Sequence, residues 1–281
     1  MTLANTLKQM RKQGQAIGQF NFSAYEQLNG IVLAANKLNT PVILGTSEGE
    51  AKFLDFKIAV GLKSIFQKRY NVPIFIHLDH GRSLAHIKEA LDAGYDSIHF
   101  DGSGLSFEKN IALTKKIVDM AHKRHVFVEG ELGYLRGKSG FFPKQKTDIA
   151  KQDLTRPEQV EEFTKKTKVD SLAIAIGNIH GIYAKAPLLD FERLEEIRDI
   201  SNVFLVLHGG SGISAKNLRT AIRLGVQKIN INTEIRILWK EKIMKSVKNT
   251  KEIKPYLILP EAIKAIQDRV EKYIKIFNNQ K

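Results

Sequence analysis

The feature that most restricts this chain is a regular alternation of short apolar runs with amphipathic stretches, sustained along its length. Eight runs read as buried strands: Ala16–Phe20, Val42–Gly45, Ile74–Leu78, Ser97–Phe100, Val126–Glu129, Leu172–Ile176, Val203–Leu207 and Val226–Ile231. Most are rich in Val, Ile, Leu or Phe without clean alternation, the pattern of strands covered on both faces. The stretches between them carry helix signals. Ser23 opens one that runs to Leu38, Ser83 one that ends near Asp92 with Gly94 as its stop, and Ser106 one that reaches His122. Arg156-Pro157-Glu158 starts another with proline in its first turn, Asp190–Asp199 is a further segment, and Ser214 caps a helix ending at Gly225. Eight strands alternating with helices predict an α/β fold, a (β/α)8 TIM barrel of about 250 residues, which takes up nearly all of the 281 here. A single domain over 1–281 is expected. Its extra C-terminal helix, Pro260–Phe277, reads as lying outside the repeat, in a helical extension of about 255–281.

Composition narrows the chemistry. There is no cysteine, which excludes a disulfide framework, a thiolate zinc site, an iron–sulfur cluster and a cysteine nucleophile. A tightly bound transition metal must then be held by His, Asp or Glu. Lys and Arg number 44 against 30 Asp and Glu, a formal charge of +14. The basic residues are spread through helical patterns with no run of five or six, so solvated faces are the leading reading. Steering of an anionic substrate and nucleic-acid or polyanion binding stand behind it. Met1–Gly14 lacks the apolar segment of a signal peptide, and no apolar run approaches the roughly 18 residues of a membrane span. A soluble, cytoplasmic protein is expected.

Barrel active sites form at the C-terminal ends of the strands. Here those ends are rich in polar residues. After the third comes His77-Leu78-Asp79-His80-Gly81, and after the fourth Asp101-Gly102-Ser103. The fifth ends in Glu129-Gly130-Glu131-Leu132-Gly133. Gly177-Asn178-Ile179-His180-Gly181 follows the sixth, His208-Gly209-Gly210-Ser211-Gly212 the seventh, and Asn230-Ile231-Asn232-Thr233-Glu234 the eighth. Three His-Gly pairs at three strand ends suit a catalytic zinc with one open position. The glycine-rich turns at helix starts suit a phosphate. Asp79, beside a proposed ligand, can act as acid and base on a sugar hydroxyl, because neighbouring side chains at a strand end point in different directions. His77 reads as a wall residue, and His86, His99, His122 and His125 as structural or surface. The long stretch Gly133–Leu154 should lie over the mouth.

Taken in order, these motifs resemble class II, zinc-dependent fructose-bisphosphate aldolases, in the branch shared with tagatose-bisphosphate aldolases. The markers are Gly18-Gln19-Phe20-Asn21, Leu78-Asp79-His80-Gly81, Val128-Glu129-Gly130-Glu131-Leu132-Gly133, Ala175-Ile176-Gly177-Asn178-Ile179-His180-Gly181, Leu207-His208-Gly209-Gly210-Ser211-Gly212 and Lys228-Ile229-Asn230-Ile231-Asn232-Thr233. The resemblance implies one zinc per subunit on His80, His180 and His208, with a monovalent cation as a further candidate. It implies Asp79 as the acid/base and Glu131 as a carboxylate near the metal. Gly181, Gly209, Gly210, Ser211, Asn230, Asn232 and Thr233 would surround the phosphate nearest the carbonyl. Ser47 would touch substrate, Arg236 would reach the distal phosphate, and Asn21, Asp101 and Ser103 would support the site. The implied reaction is cleavage of fructose 1,6-bisphosphate through a zinc-stabilised enediolate, in a homodimer or homotetramer. Tagatose 1,6-bisphosphate or another phosphorylated keto-sugar is the alternative substrate, and a polyanion-binding barrel the more distant one. Two segments depart from the pattern. Tyr134–Gly140 lacks the acidic residues of relatives, for which Asp148 or Asp153 could stand in. Near the C-terminus, Lys254-Pro255-Tyr256 and Leu259-Pro260-Glu261 replace segments that relatives use for the distal phosphate.

Overall fold

A computed structural model describes residues 1–185, 188–248 and 250–280. The expected strands form as β1 (Ile17–Asn21), β2 (Val42–Ser47), β3 (Ile74–Gly81), β4 (Ser97–Phe100), β5 (Phe127–Leu132), β6 (Ser171–Ile174), β7 (Phe204–Leu207) and β8 (Val226–Ile231). They close into a parallel barrel in which each strand lies between its neighbours in sequence and β8 returns to pair with β1.

The interior explains why the alternation was faint. Outward side chains such as Leu44, Ile76, Val128, Leu172 and Ile229 are apolar and join one core with the surrounding helices. Inward side chains change character with height. At the bottom, Ile17, Ile43, Phe75 and Phe127 meet Leu3, Leu7 and Met10 of α1 (Leu3–Lys12), which plugs the barrel's N-terminal end. Two residues further along their strands come Gln19, His77 and Glu129, joined by Lys228. Above them lie Asn21, Asp79, Glu131 and Asn230, all buried. Ions so deep persist only when paired. Lys228 Nζ lies 2.7 Å from Glu129 Oε2, and Glu129 Oε1 lies 2.7 Å from His208 Nε2.

Beyond α1, which was not anticipated, the helices follow their signals with two exceptions. α2 is Tyr25–Lys37, with Gln27 Oε1 accepting from the backbone N–H groups of Ser23 and Ala24. β2 is followed by two helices that were not anticipated, α3 (Glu48–Leu54) and α4 (Phe56–Tyr70). α4 buries only Phe56, Ala59 and Phe66, too few for a continuous apolar stripe. Then come α5 (Leu84–Ala93), α6 (Phe107–His122), α7 (Pro157–Thr167), α8 (Phe191–Ile200), α9 (Ala215–Arg223), α10 (Thr233–Lys248), the short α11 (Pro255–Ile258) and α12 (Pro260–Phe277).

α12 corrects one expectation. It is no appendage: it packs against α2, α9, α10 and β1, and its Phe277 carbonyl accepts from Ala16 N–H at 3.1 Å. Its buried face, Ile266, Val270, Ile274 and Phe277, makes it part of the outer ring. The segment after β5 is irregular as expected, apart from Phe141–Phe142 pairing with Ile182–Tyr183 and a single turn at Lys151–Asp153. Among the described residues, no helix is long and apolar enough to cross a membrane.

Candidate active site

The polar strand ends meet at the C-terminal mouth, and β3 brings its residues there in an unexpected way. Asp79 and His80 are adjacent, so their side chains should diverge. Instead the register of β3 against β4 shifts between Leu78 and Gly81, and His80 takes a left-handed backbone with φ 51°. This bulge turns both side chains inward. Ligand-type atoms of Asp79, His80, His99 and His208 consequently all lie within 4.8 Å of one another. Such a backbone costs about 1–3 kcal/mol in a non-glycine residue and tends to persist at functional sites.

The three expected histidines gather. His80 Nε2 lies 3.1 Å from His208 Nδ1, and the His180 ring centre stands 4.8 Å from that of His80. Behind each of the facing nitrogens is a carboxylate. His80 Nδ1 is 3.1 Å from Asp101 Oδ2, and His208 Nε2 is held by Glu129. In the neutral rings, donation to these carboxylates turns the lone pairs of the facing nitrogens toward one another, the usual arrangement of metal-binding imidazoles. Two ligands at roughly 2.0–2.1 Å from one tetrahedral zinc stand about 3.3 Å apart, close to the spacing found. His99 Nε2 and Glu131 Oε2 add a further sign. They are 3.0 Å apart, both buried, and neither makes a hydrogen bond. The residues present therefore fit a divalent cation.

Charge in the cluster is shared unevenly. Burial would raise the Asp79 carboxyl, but His80, His208 and Lys228 outweigh it and hold it well below the usual carboxylate range. Asn21 and Asn230 amide groups donate to its two oxygens at 2.9 and 3.1 Å. Burial lowers His80, yet Asp79 and the hydrogen bond to Asp101 raise it to about 9. Burial and the neighbouring His80 charge push His180 down to about 3 and His208 well below its ordinary value. Two of the three imidazoles are thus already neutral, and a metal displaces the proton of the third. Asp101 is fixed in turn by Arg82 Nε at 2.8 Å and by the Ser103 hydroxyl at 2.5 Å.

A cavity of about 410 Å3 opens over this cluster. Asp79, His80, His180 and His208 line it with Ser47, Gly181, Gly209, Ser211, Asn230, Asn232, Thr233 and Arg236. Gly210 lies just behind, its N–H donating to the Asn230 carbonyl at 3.0 Å. Asn21, Asp101, Ser103 and Glu131 are not part of the lining and act from beneath it. Two of the glycines are sterically required. Gly181 (φ 95°) and Gly209 (φ 65°) would place a Cβ within 2.3 Å of the Lys138 carbonyl oxygen and 2.2 Å of the Ile179 carbonyl oxygen. The segment after β5 closes one side through Gly137 and Ser139, and Arg236 Nη2 donates to the Ser139 carbonyl at 2.8 Å. Asp153 does not serve as its missing acid. Its carboxylate is engaged by Arg136 and by Ala150 N–H, and it does not line the cavity.

The model of the family described as Fructose-bisphosphate aldolase class-II matches residues 1–281. The chain belongs to this family. It is an aldolase, a carbon–carbon lyase. A fructose-bisphosphate aldolase of Staphylococcus aureus (strain Mu50) is 38% identical over 285 residues, covering 99% of this chain and 96% of the relative. One of Staphylococcus epidermidis is 36% identical with the same coverage. Among solved structures, the YdjI aldolase from Escherichia coli K12 superposes with a TM-score of 0.84 at 33% identity, covering 99% of this chain and 97% of that one. Fructose-bisphosphate aldolase from Campylobacter jejuni shares the fold, with a TM-score of 0.85 at 24% identity and coverage of 98% and 94%.

Four residues of this class II aldolase were given no part in the site from its sequence: His99, which was read as structural or surface and which the structure places in the cluster, Glu129, Lys228 and Arg82. The first three had a readable signal. Each stands two positions before a residue that was chosen (Asp101, Glu131 and Asn230), and alternate strand residues share a face. Arg82 carries no such signal, because it follows the bulge.

Proposed function

We propose that this aldolase reversibly cleaves fructose 1,6-bisphosphate to dihydroxyacetone phosphate and glyceraldehyde 3-phosphate, with one zinc ion held by His80, His180 and His208. The observation that carries this reading is the facing pair of ring nitrogens of His80 and His208, each backed by a carboxylate, beside an ionised Asp79. Bound zinc supplies Lewis-acid polarisation of the ketose C2 oxygen. The chain's own residues do the rest. Asp79, kept in place by Asn21 and Asn230, accepts the C4 hydroxyl proton. The C3–C4 bond breaks, C4 becomes the aldehyde carbon, and the electron pair passes into the enediolate of dihydroxyacetone phosphate. Solvent at the mouth returns a proton to C3, the enediolate carbon, since no carboxylate of the segment after β5 lines the cavity among the described residues. Gly181, Gly209 and Ser211, with Asn232 and Thr233 at the start of α10, receive the phosphate nearest the carbonyl, and Gly210 supports them from behind. Arg236 reaches toward the distal one. Glu131 sits beside the metal, and Ser47 touches the sugar.

The test is release of triose phosphate from fructose 1,6-bisphosphate and, in parallel, from tagatose 1,6-bisphosphate. Each is run with EDTA and then with added zinc. Chelator-sensitive, zinc-restored cleavage of the fructose sugar is expected. Faster cleavage of tagatose 1,6-bisphosphate would move the assignment to the sister activity, and undiminished turnover in EDTA would remove the metal from it.

A further inference from the structure

We propose that the protein carries a second anion site, at the end of the barrel opposite the histidine cluster, that takes a short chain of phosphates. A cavity of about 900 Å3 opens there. Arg11 from the last turn of α1, Arg198 from α8, and Lys216, Arg219 and Arg223 from α9 line it, with Gln227 of β8. No carboxylate lines it among the described residues. The acid in contact with its wall is Asp199, whose exposed carboxylate lies 2.7 Å from Arg198. Arg219 donates to the Gln280 carbonyl at 3.2 Å. Arg11, Lys216 and Arg223 have no ion pair among the described residues.

Helix stability accounts for only part of this arrangement. Lys216 occupies the second position of α9, beside the positive end of its dipole, where a cation is unfavourable. Lys216 and Arg219 stand three residues apart, and Arg219 and Arg223 four, spacings at which like charges repel across one face. Arg11, Arg198 and Arg223, each in the last turn of its helix, gain from their positions, but Lys216 and Arg219 do not. The cavity is also lined by a neutral amide. Gln227 is 4% exposed, and its Oε1 accepts from Leu205 N–H at 2.9 Å. Gln227 lines the cavity, so its amide group offers a further neutral donor there. Five cations and one amide donor around a volume larger than one phosphate fit two or three linked phosphates. Guanidinium groups bind such oxygens in forked pairs. The tail of a nucleoside triphosphate and inorganic tripolyphosphate share this chemistry. The site stands independently of the reaction proposed at the mouth.

The test is calorimetric titration of the full-length protein with tripolyphosphate, ADP and ATP. Wild type is compared with Arg219→Gln/Arg223→Gln and with Lys115→Gln/Lys116→Gln, an exposed pair on α6 that removes the same charge elsewhere. Metal chelation and any binding at the mouth are common to all three proteins, so the differences between them report this cavity. The α9 variant should bind tripolyphosphate about tenfold more weakly or worse, and the α6 variant like wild type. Tighter binding of ATP than of tripolyphosphate identifies a nucleotide as the source, and equal binding identifies the phosphate chain alone. The replaced side chains are exposed, and thermal unfolding checks the fold; Lys216→Gln serves as a second variant. Equal affinity in the α9 variant and wild type overturns the site, as does an equal loss in the α6 control. A short single-stranded DNA that binds more tightly than tripolyphosphate and depends on Arg219 and Arg223 overturns the small-ligand assignment.

Discussion

His80 and His208 face each other through Nε2 and Nδ1 across 3.1 Å, each braced from behind by a carboxylate, Asp101 for the first and Glu129 for the second. The bracing sets which ring nitrogen carries the proton, so metal binding depends on residues that never touch the metal. Glu129→Gln should weaken zinc affinity about 10- to 100-fold, and His208→Ala should remove tight binding altogether. Competition against a chromophoric chelator measures both. Wild-type affinity in Glu129→Gln would contradict the bracing role.

Asp79 is held ionised and aimed by two amides, which suits a base. Asp79→Asn should lower turnover by about 10²- to 10⁴-fold. Zinc content and thermal unfolding should stay close to wild type. A parallel loss of zinc would instead make Asp79 a ligand.

Lys228 is 2% exposed and neutralises Glu129 inside the barrel. Lys228→Met strands that carboxylate without a counter-ion. It should destabilise the fold by about 3–5 kcal/mol in urea unfolding. Lys228→Met/Glu129→Gln should recover part of the loss. If the double variant is no better than the single one, the pair is not the cause.

Asp153 anchors the far end of the mouth segment. The Arg136 hydrogen bond holds its carboxyl below the ordinary range against burial, with Ala150 N–H assisting. The folded-state value is depressed, so this stabilisation is complete above the ordinary Asp pKa of about 3.9 and fades as pH falls below it toward the folded value. Asp153→Asn should flatten the acid limb of a thermal-stability profile over that window. An unchanged slope would show that the anchor contributes nothing.

The barrel was legible because eight apolar runs and their helix caps agree with one another, and the mouth residues followed from knowing which strand ends face solvent. Three kinds of feature were hidden. α3 and α4 bury too little for a periodic stripe. α12 reads as an appendage until its apolar face is seen against α2 and β1. The polar interior layers were masked by apolar outward neighbours, so the inward-facing Glu129 and Lys228 were given no role. The adjacency of Asp79 and His80 was visible, but their shared direction was not. It arises from a bulge and one left-handed residue, and a histidine gives no hint that it will adopt that backbone.

The cluster draws Asp79 and His80 from the third strand and His208 from beyond the seventh, and the His80–His208 contact spans 128 residues of chain. The half of the barrel nearer the N-terminus therefore carries Asp79 and His80 without the histidine that faces them. With the metal held by His80 and His208 as proposed, its capture would wait for nearly the whole circle to close and so report barrel completion. Long-range closure of this kind is slow. Zinc uptake by a refolding chain should accordingly track its final phase, not its collapse.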